Sequence, residues 1–244
     1  MTDALDRLAP AARPLLHRVD TTLADVGAPA DDPVWPLLRQ VRALPSEAVA
    51  AVAGWRVGPL EAAADPLRAL ARGYTEALDG IPAHPPWEGE GAVAYGVQWS
   101  ALRGHTTGAG PASVVGRLRE SAAYVEELVE WLQRSRRAVA MAVADVLASA
   151  EAVILLTAGA ADAAAGAGPA GAGPAGGHPA AGVAAARVAA HVLGPVAVAC
   201  EEGRRLHDDW HSRLGEVPLQ PPRADTGASG AGSDAGSGTV RVGE

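Results

Sequence analysis

The hydrophobic positions along this chain recur at steps of three and four residues, the spacing of one helix face. No stretch keeps the alternation of apolar and polar residues that a half-buried strand requires. The first stripe covers residues 3–26 and contains Pro10 and Pro14, where we expect a bend or an interruption. Two shorter helical segments follow before residue 57. The pattern predicts an all-α protein that begins with an N-terminal helical extension, residues 1–56.

Two helical arms joined by a turn come next. The first arm, residues 57–81, carries a stripe of leucine, alanine and tyrosine, and Asp65 with Pro66 marks an alternative start for it. The arm ends in a proline-rich stretch, where no helix continues. The second arm is residues 90–105. We therefore predict a helical hairpin at the centre of an elongated helical bundle.

The most regular pattern runs from residue 113 to residue 157, with seam positions at alternating steps of four and three. A straight helix of this length would extend about 65 Å at about 1.5 Å per residue, so it needs an elongated bundle or a partner. Arg136 interrupts the apolar seam. It either snorkels where the bundle frays, or pairs with a carboxylate and fixes the register. A candidate partner interface on this helix comprises Leu118, Val125, Val129, Trp131, Leu132, Arg136 and Val139.

The remainder of the chain divides by composition. Residues 158–182 are almost wholly alanine, glycine and proline, which predicts a linker after the hairpin unit of residues 57–157. A C-terminal helical region, 183–214, follows, with a break or kink expected at Gly194-Pro195. The Pro-, Gly- and Ser-rich tail, 215–244, is predicted to be disordered.

The turn between the arms carries a Trp-x-Gly motif, formed by Trp87 and Gly89. Glycine allows a sharp turn there, and the indole can fold back over the helix that begins at the turn. We expect the aromatic residues to form a hydrophobic plug for the hairpin, or to stay partly exposed for a partner. Four residues after the motif share one helix face: Ala92, Tyr95, Trp99 and Leu102.

Trp87, Gly89, Ala92 and Tyr95, placed between two helical arms, resemble the motif of the WXG-motif family of type VII secretion substrates and relatives (the early secreted antigenic target-like group). The resemblance covers residues 57–156. It implies pairing with itself or with a related WXG-like helical protein, and engagement by a type VII secretion ATPase.

One feature departs from that family's pattern. Its export tag is a tyrosine followed four residues later by an aspartate or glutamate. Tyr74, Tyr95 and Tyr124 are followed at that spacing by leucine, tryptophan and leucine. Export in its own right is therefore not implied by the sequence, although export with a tagged partner remains open.

Composition limits the classes of function. The net charge is −8 and the chain has no lysine, which argues against a nucleic-acid binder. Cys200 is the only cysteine, which excludes an intrachain disulfide and predicts a small buried apolar residue. The N-terminus lacks the features of a general secretory signal, and we predict no membrane span. We expect a cytoplasmic protein, or one exported by a type VII system.

His207 and His211 are the candidate metal ligands, because positions i and i+4 share a helix face. Asp208 stands where zinc proteases carry a catalytic glutamate, and Glu216 and Asp225 fall in predicted loop or tail. No phosphate loop or nucleophile elbow is present in the sequence. We therefore expect a non-catalytic helical interaction protein with no cofactor. The alternatives are a cytoplasmic helical scaffold or chaperone unrelated to secretion, and a metal-binding hydrolase using the two histidines.

Overall fold

The computed structural model describes residues 3–84, 86–108, 110–165 and 179–215. Within these ranges the chain is helical and has no strand, which confirms the predicted all-α class. The predicted tail lies almost entirely outside the described residues, as does the middle of the predicted linker. The helices are α1 (Ala4–Asp25), α2 (Val34–Val41), α3 (Pro45–Ala53), α4 (Gly58–Glu61), α5 (Ala64–Asp79), α6 (Glu90–Thr107), α7 (Val114–Leu147), α8 (Ala150–Ala165) and α9 (Pro179–Gly215).

The main core forms where α1, α2 and α3 pack against the C-terminal half of α7, the start of α8 and the N-terminal half of α9. Leu16 and Val19 of α1, Val143 of α7 and Leu193 of α9 are among its fully buried residues. No described residue between 57 and 138 belongs to this core. The N-terminal extension is therefore part of the central packing rather than an appendage to the hairpin.

Prolines do not interrupt the helices in which they lie. The expected interruption of the first helix is wrong, because α1 runs through Pro10 and Pro14. The expected break at Gly194-Pro195 is also wrong, because α9 continues past Pro195 to Gly215. Each proline removes one backbone hydrogen bond. Burial of the neighbouring apolar residues in the main core offsets that loss.

The predicted helix over 113–157 is in fact two helices. The axis bends by 62° between α7 and α8. The Ser149 hydroxyl lies at the bend, where it donates to the Val146 carbonyl at 2.8 Å and accepts from the Ala152 amide at 3.1 Å. A serine side chain that bonds to the backbone in this way competes with helix continuation and caps the next helix. The bend turns Leu155 of α8 into the main core.

The predicted linker is shorter than its composition indicates. Residues 158–165 continue α8, and residues 179–182 begin α9. Gly182 lies close to the end of α1, where an added Cβ would be 2.7 Å from the Gly27 carbonyl oxygen. The remaining residues of the predicted linker, 166–178, lie outside the described residues.

In the part of the molecule outside the main core, α5 packs against α7. The two helices run antiparallel: Arg68 forms an ion pair with Glu126, and Glu61, which precedes α5, accepts a hydrogen bond from Gln133 at 2.8 Å. The α5 helix begins at Ala64, one residue before the alternative start that Asp65 and Pro66 mark, and it has no side-chain cap. The first arm packs mainly against α7, and its contact with the second arm is smaller than the predicted hairpin implies.

The main contacts of α6 among the described residues are with α5, near its C-terminal end, and with α7. The Tyr95 hydroxyl donates to the Pro82 carbonyl at 2.6 Å, and Arg103 lies 3.8 Å from Asp79. Trp99 and Thr106 are its only buried residues. Much of α6 is therefore left uncovered by this chain.

Among the described residues, α9 is long and apolar enough to cross a membrane by length and composition. In its most apolar stretch, 56% of the residues are buried within the fold. The bent pair of α7 and α8 reaches the same threshold only when the two helices are taken together.

Candidate interaction surfaces

Exposed apolar side chains are concentrated on α5, α6 and the turn between them. Their exposed fractions run from 38% at Leu102 to 69% at Val93. Folded proteins seldom leave so many large apolar groups in water along one short segment unless they serve an interaction. We call this set the corner surface, and it comprises Leu70, Tyr74, Ile81, Trp87, Val93, Val97 and Leu102.

The Trp-x-Gly motif forms the start of α6. Gly89 is the residue before the helix and has a φ of 90°, a conformation that strains any residue with a Cβ. The Trp87 ring meets the Tyr95 ring edge to face at 5.7 Å, so the indole does fold back over α6. The structure therefore brings Trp87, Gly89 and Tyr95 together as the sequence predicted.

The predicted hydrophobic plug is only partly formed. Trp99 is 8% exposed, but Trp87 keeps 53% of its surface in water. Ala92 and Tyr95 are half-buried, and Leu102 is at the exposed edge of the same face. The plug interpretation is therefore correct for Trp99 and wrong for Trp87. Trp87 stays exposed because α6 contacts the end of α5 and does not pack along the length of that helix.

The α6 helix carries a second apolar face that sequence reasoning missed. Val93 and Val97 are one turn apart, on the side opposite Trp99, and are 69% and 56% exposed. The stripe of Tyr95 and Trp99 predicts one apolar face, and Val93 and Val97 lie off that stripe. An apolar residue at every turn of both faces was the available signal.

The predicted interface along α7 is largely closed by this chain itself. Leu132, Arg136 and Val139 are 7%, 4% and 0% exposed, so their assignment to a partner interface is wrong. They are covered because α1, α3 and α9 pack around this part of α7. Four predicted interface residues remain half-buried: Leu118, Val125, Val129 and Trp131.

Arg136 pairs with carboxylates, which agrees with the second interpretation of its place in the seam. Its guanidinium donates to Asp3 at 2.6 and 3.0 Å and to Asp6 at 2.7 Å. It also donates to three carbonyls at the end of α3 and just beyond it, those of Val52, Ala53 and Trp55, at 2.9 to 3.0 Å. The cluster joins α7 to the beginning of α1 and the end of α3.

The electrostatics of this cluster follow from its hydrogen bonds. The bond from Arg136 holds the pKa of Asp3 below its usual value of 3.8, against the opposing effect of burial. The same bond raises the pKa of Arg136. Elsewhere in the fold, burial raises the pKa of Asp20, although the amide of Ser46 faces its carboxylate at 3.5 Å.

Trp131 and Trp210 form contacts between α7 and α9. The Trp131 ring packs on Trp55 at 5.1 Å, and its Nε1 donates to the Ala199 carbonyl at 3.1 Å. Trp210 donates to Glu127 at 2.7 Å, and the Arg213 guanidinium lies 3.9 Å above its ring. Trp131 is therefore a packing residue within this chain.

His207 and His211 stack on each other at 5.8 Å on an exposed face of α9. Among the described residues, no group of three or more His, Cys, Asp or Glu side chains has an arrangement that could hold a metal ion. Glu216 and Asp225 lie outside the described residues. Cys200 is half-buried, whereas the sequence predicted a buried position.

The described helices thus offer the corner surface and the half-buried part of α7 as places for a partner. No family model, curated protein or solved structure matches the chain.

Proposed function

We propose that this chain is a non-catalytic helical interaction protein, which pairs through its corner surface with itself or with a related helical protein. The observation that carries the proposal is the uncovered apolar face of α6, where Val93 and Val97 are both more than half exposed. Burying one valine side chain contributes about 1.5–3 kcal/mol. A partner helix laid across these two residues would gain most of its binding energy there.

The same surface supports a link to type VII secretion. Gly89 at positive φ begins α6, and the Trp87–Tyr95 pair folds over that beginning. These three residues are among the four that carry the WXG-like resemblance. Because no tyrosine has an acidic residue four positions later, we propose export together with a tagged partner. Before export, the protein would reside in the cytoplasm and engage the secretion ATPase through that partner.

The test is the distribution of the protein between culture filtrate and cells, in strains with and without the type VII ATPase. We expect the protein in the filtrate only when the ATPase is present. The variant Val93→Ser/Val97→Ser should stay in the cells, because its partner no longer binds. The matched control is Val198→Ser on α9, which is 57% exposed and lies outside the corner surface.

Retention of the unaltered protein in both strains would end the secretion proposal and leave a cytoplasmic scaffold or chaperone. Export of the Val93→Ser/Val97→Ser variant at the normal level would instead show that the corner surface is not the docking site. Circular dichroism of each purified variant controls for folding.

A further inference from the structure

A groove separate from the corner surface lies between α7 and the segment formed by α4 and the start of α5. Its volume is about 440 Å³. Leu60 and Ala64 line one side of the groove floor, and Val125 and Val129 line the other side. Val125 and Val129 are one helical turn apart on α7, whereas Leu60 lies in α4 and Ala64 begins α5.

Polar contacts cross this groove at both ends. At one end, Gln133 donates to Glu61. At the other, Arg68 bridges Glu126 of α7 and Asp65, which lies 3.5 Å from it. The seven helical steps from residue 126 to residue 133 span about 10 Å along α7, or about two helical turns. The space between the crossings matches the length over which one helix lays two or three side chains into a neighbour.

The rim of the groove is acidic. Four carboxylates line it, against the single guanidinium of Arg68: Glu61, Asp65, Glu126 and Glu130. Asp65 and Glu130 keep 87% and 70% of their side-chain surface in water, although Glu130 also lies 3.6 Å from Arg134. An apolar floor between acidic edges complements a helix that carries apolar residues on one face and cations beside them.

We propose that this acidic groove binds a basic amphipathic helix of a partner protein. Leucine- or valine-sized side chains of that helix would lie between Leu60 and Val129, and its arginines or lysines would approach Asp65 and Glu130. The carboxylates repel phosphate groups, so the charge disfavours nucleic acid and anionic lipid. The inference does not rest on the proposed secretion role, because it concerns a different surface.

A synthetic peptide tests the proposal directly. The probe is a fluorescein-labelled amphipathic helix with leucines on one face and arginines beside them, and fluorescence anisotropy with the full chain measures its binding. We expect saturable binding that weakens as sodium chloride is added. The variant Glu61→Gln/Asp65→Asn/Glu130→Gln should bind about tenfold more weakly, and Val129→Asp should lose binding, because both remove complementary surface.

The matched control removes three exposed carboxylates elsewhere, in Asp31→Asn/Glu88→Gln/Asp208→Asn. It has the same net charge as the groove variant and should bind the peptide as the unaltered protein does. Equal weakening in both triple variants would overturn the proposal, because binding would then be general charge attraction. Equal binding of a peptide with the same residues in scrambled order would overturn it as well.

Two further experiments test whether the corner surface binds the peptide instead, and whether another segment of this chain occupies the groove. The Val93→Ser/Val97→Ser variant should bind the peptide normally, and loss of binding there would contradict a separate groove. A photo-cross-link from position 129 to residues after 215 of the same chain would overturn the assignment to a partner protein. It would show that the chain fills the groove itself.

Discussion

At the scale of single residues, Arg136 connects three helices. Its two carboxylate partners lie at the N-terminal end of α1, where negative charge is favoured by the helix dipole. Its three carbonyl partners lie at the end of α3 and just beyond it, where backbone acceptors lack partners within the helix. Both helix ends are therefore completed by one side chain from α7.

Replacing Arg136 by methionine should lower the free energy of unfolding by about 3 kcal/mol, because the carbonyls lose their donor and the carboxylates their counter-charge. Arg137→Met is the matched control, since that side chain is exposed and donates only to the Gln133 carbonyl within its own helix. Urea unfolding followed by circular dichroism measures both. Equal stability of the two variants would contradict the role given to the cluster.

The Asp3–Arg136 pair makes stability depend on acid. Because the folded-state pKa of Asp3 lies below its usual value of 3.8, its contribution is present above that pH. The contribution is lost as the pH falls further, toward the folded-state pKa. The free energy of unfolding, measured from pH 5 downward, should therefore fall more steeply in the unaltered protein than in Asp3→Asn. Parallel curves for the two proteins would contradict this assignment.

Gly203 permits the close approach of α9 to Trp131. An added Cβ there would be 2.5 Å from the Cζ2 atom of the indole, whereas at Gly73 in α5 it would meet nothing within 4 Å. Both glycines lie inside helices, where alanine is favoured by about 1 kcal/mol. We expect Gly73→Ala to raise the melting temperature and Gly203→Ala to lower it. A rise in both would show that Trp131 moves aside without cost.

At the scale of elements, the sequence predicts the helices well and their ends poorly. Periodicity locates α1, α5, α6, α7 and α9, because each carries an apolar stripe at helical spacing. The sequence misplaces the breaks between helices, because proline and glycine are taken there as the strongest break signals. Pro195 is accommodated by tertiary burial, while the actual bend uses a serine, Ser149, whose hydroxyl bonds to the backbone.

The candidate sites show the same limit. The Trp87–Tyr95 contact was predictable because both residues belong to one short motif. The burial of Arg136 was not, since its partners Asp3 and Asp6 lie about 130 positions earlier in the sequence. Periodicity shows which face of a helix is apolar, but it does not show which other helix covers that face. For that reason the apolar pattern alone places Leu132 and Val139 in a partner interface.

At the scale of the whole molecule, the main core and the proposed recognition surface lie in different parts of the fold. The main core uses α1, α2, α3, the end of α7, α8 and the first half of α9. The corner surface lies on α5 and α6, which contribute nothing to that core. A segment with few buried contacts can adapt to a partner at small cost to the rest of the fold.

A chain that starts at residue 57 should therefore fail to fold cooperatively, although it contains the whole region that resembles the WXG-like family. It lacks α1–α3, so Val143 and Leu193 would lose their neighbours in the core. We expect helical far-ultraviolet circular dichroism without a sharp thermal transition. A chain ending at Gly215 keeps every contact of the main core and should melt as the full chain does. Cooperative melting of the shorter chain from residue 57 would contradict this division.

The central claim is that the corner surface binds another helical protein, and photo-cross-linking in the cells that make this protein tests it most directly. A benzophenone amino acid is placed at Val93, and in a separate variant at Val198, which is similarly exposed. We predict one discrete adduct from position 93, containing a second copy or a related helical protein, and none from position 198. Absence of an adduct at position 93, or the same adducts at both positions, would contradict the claim.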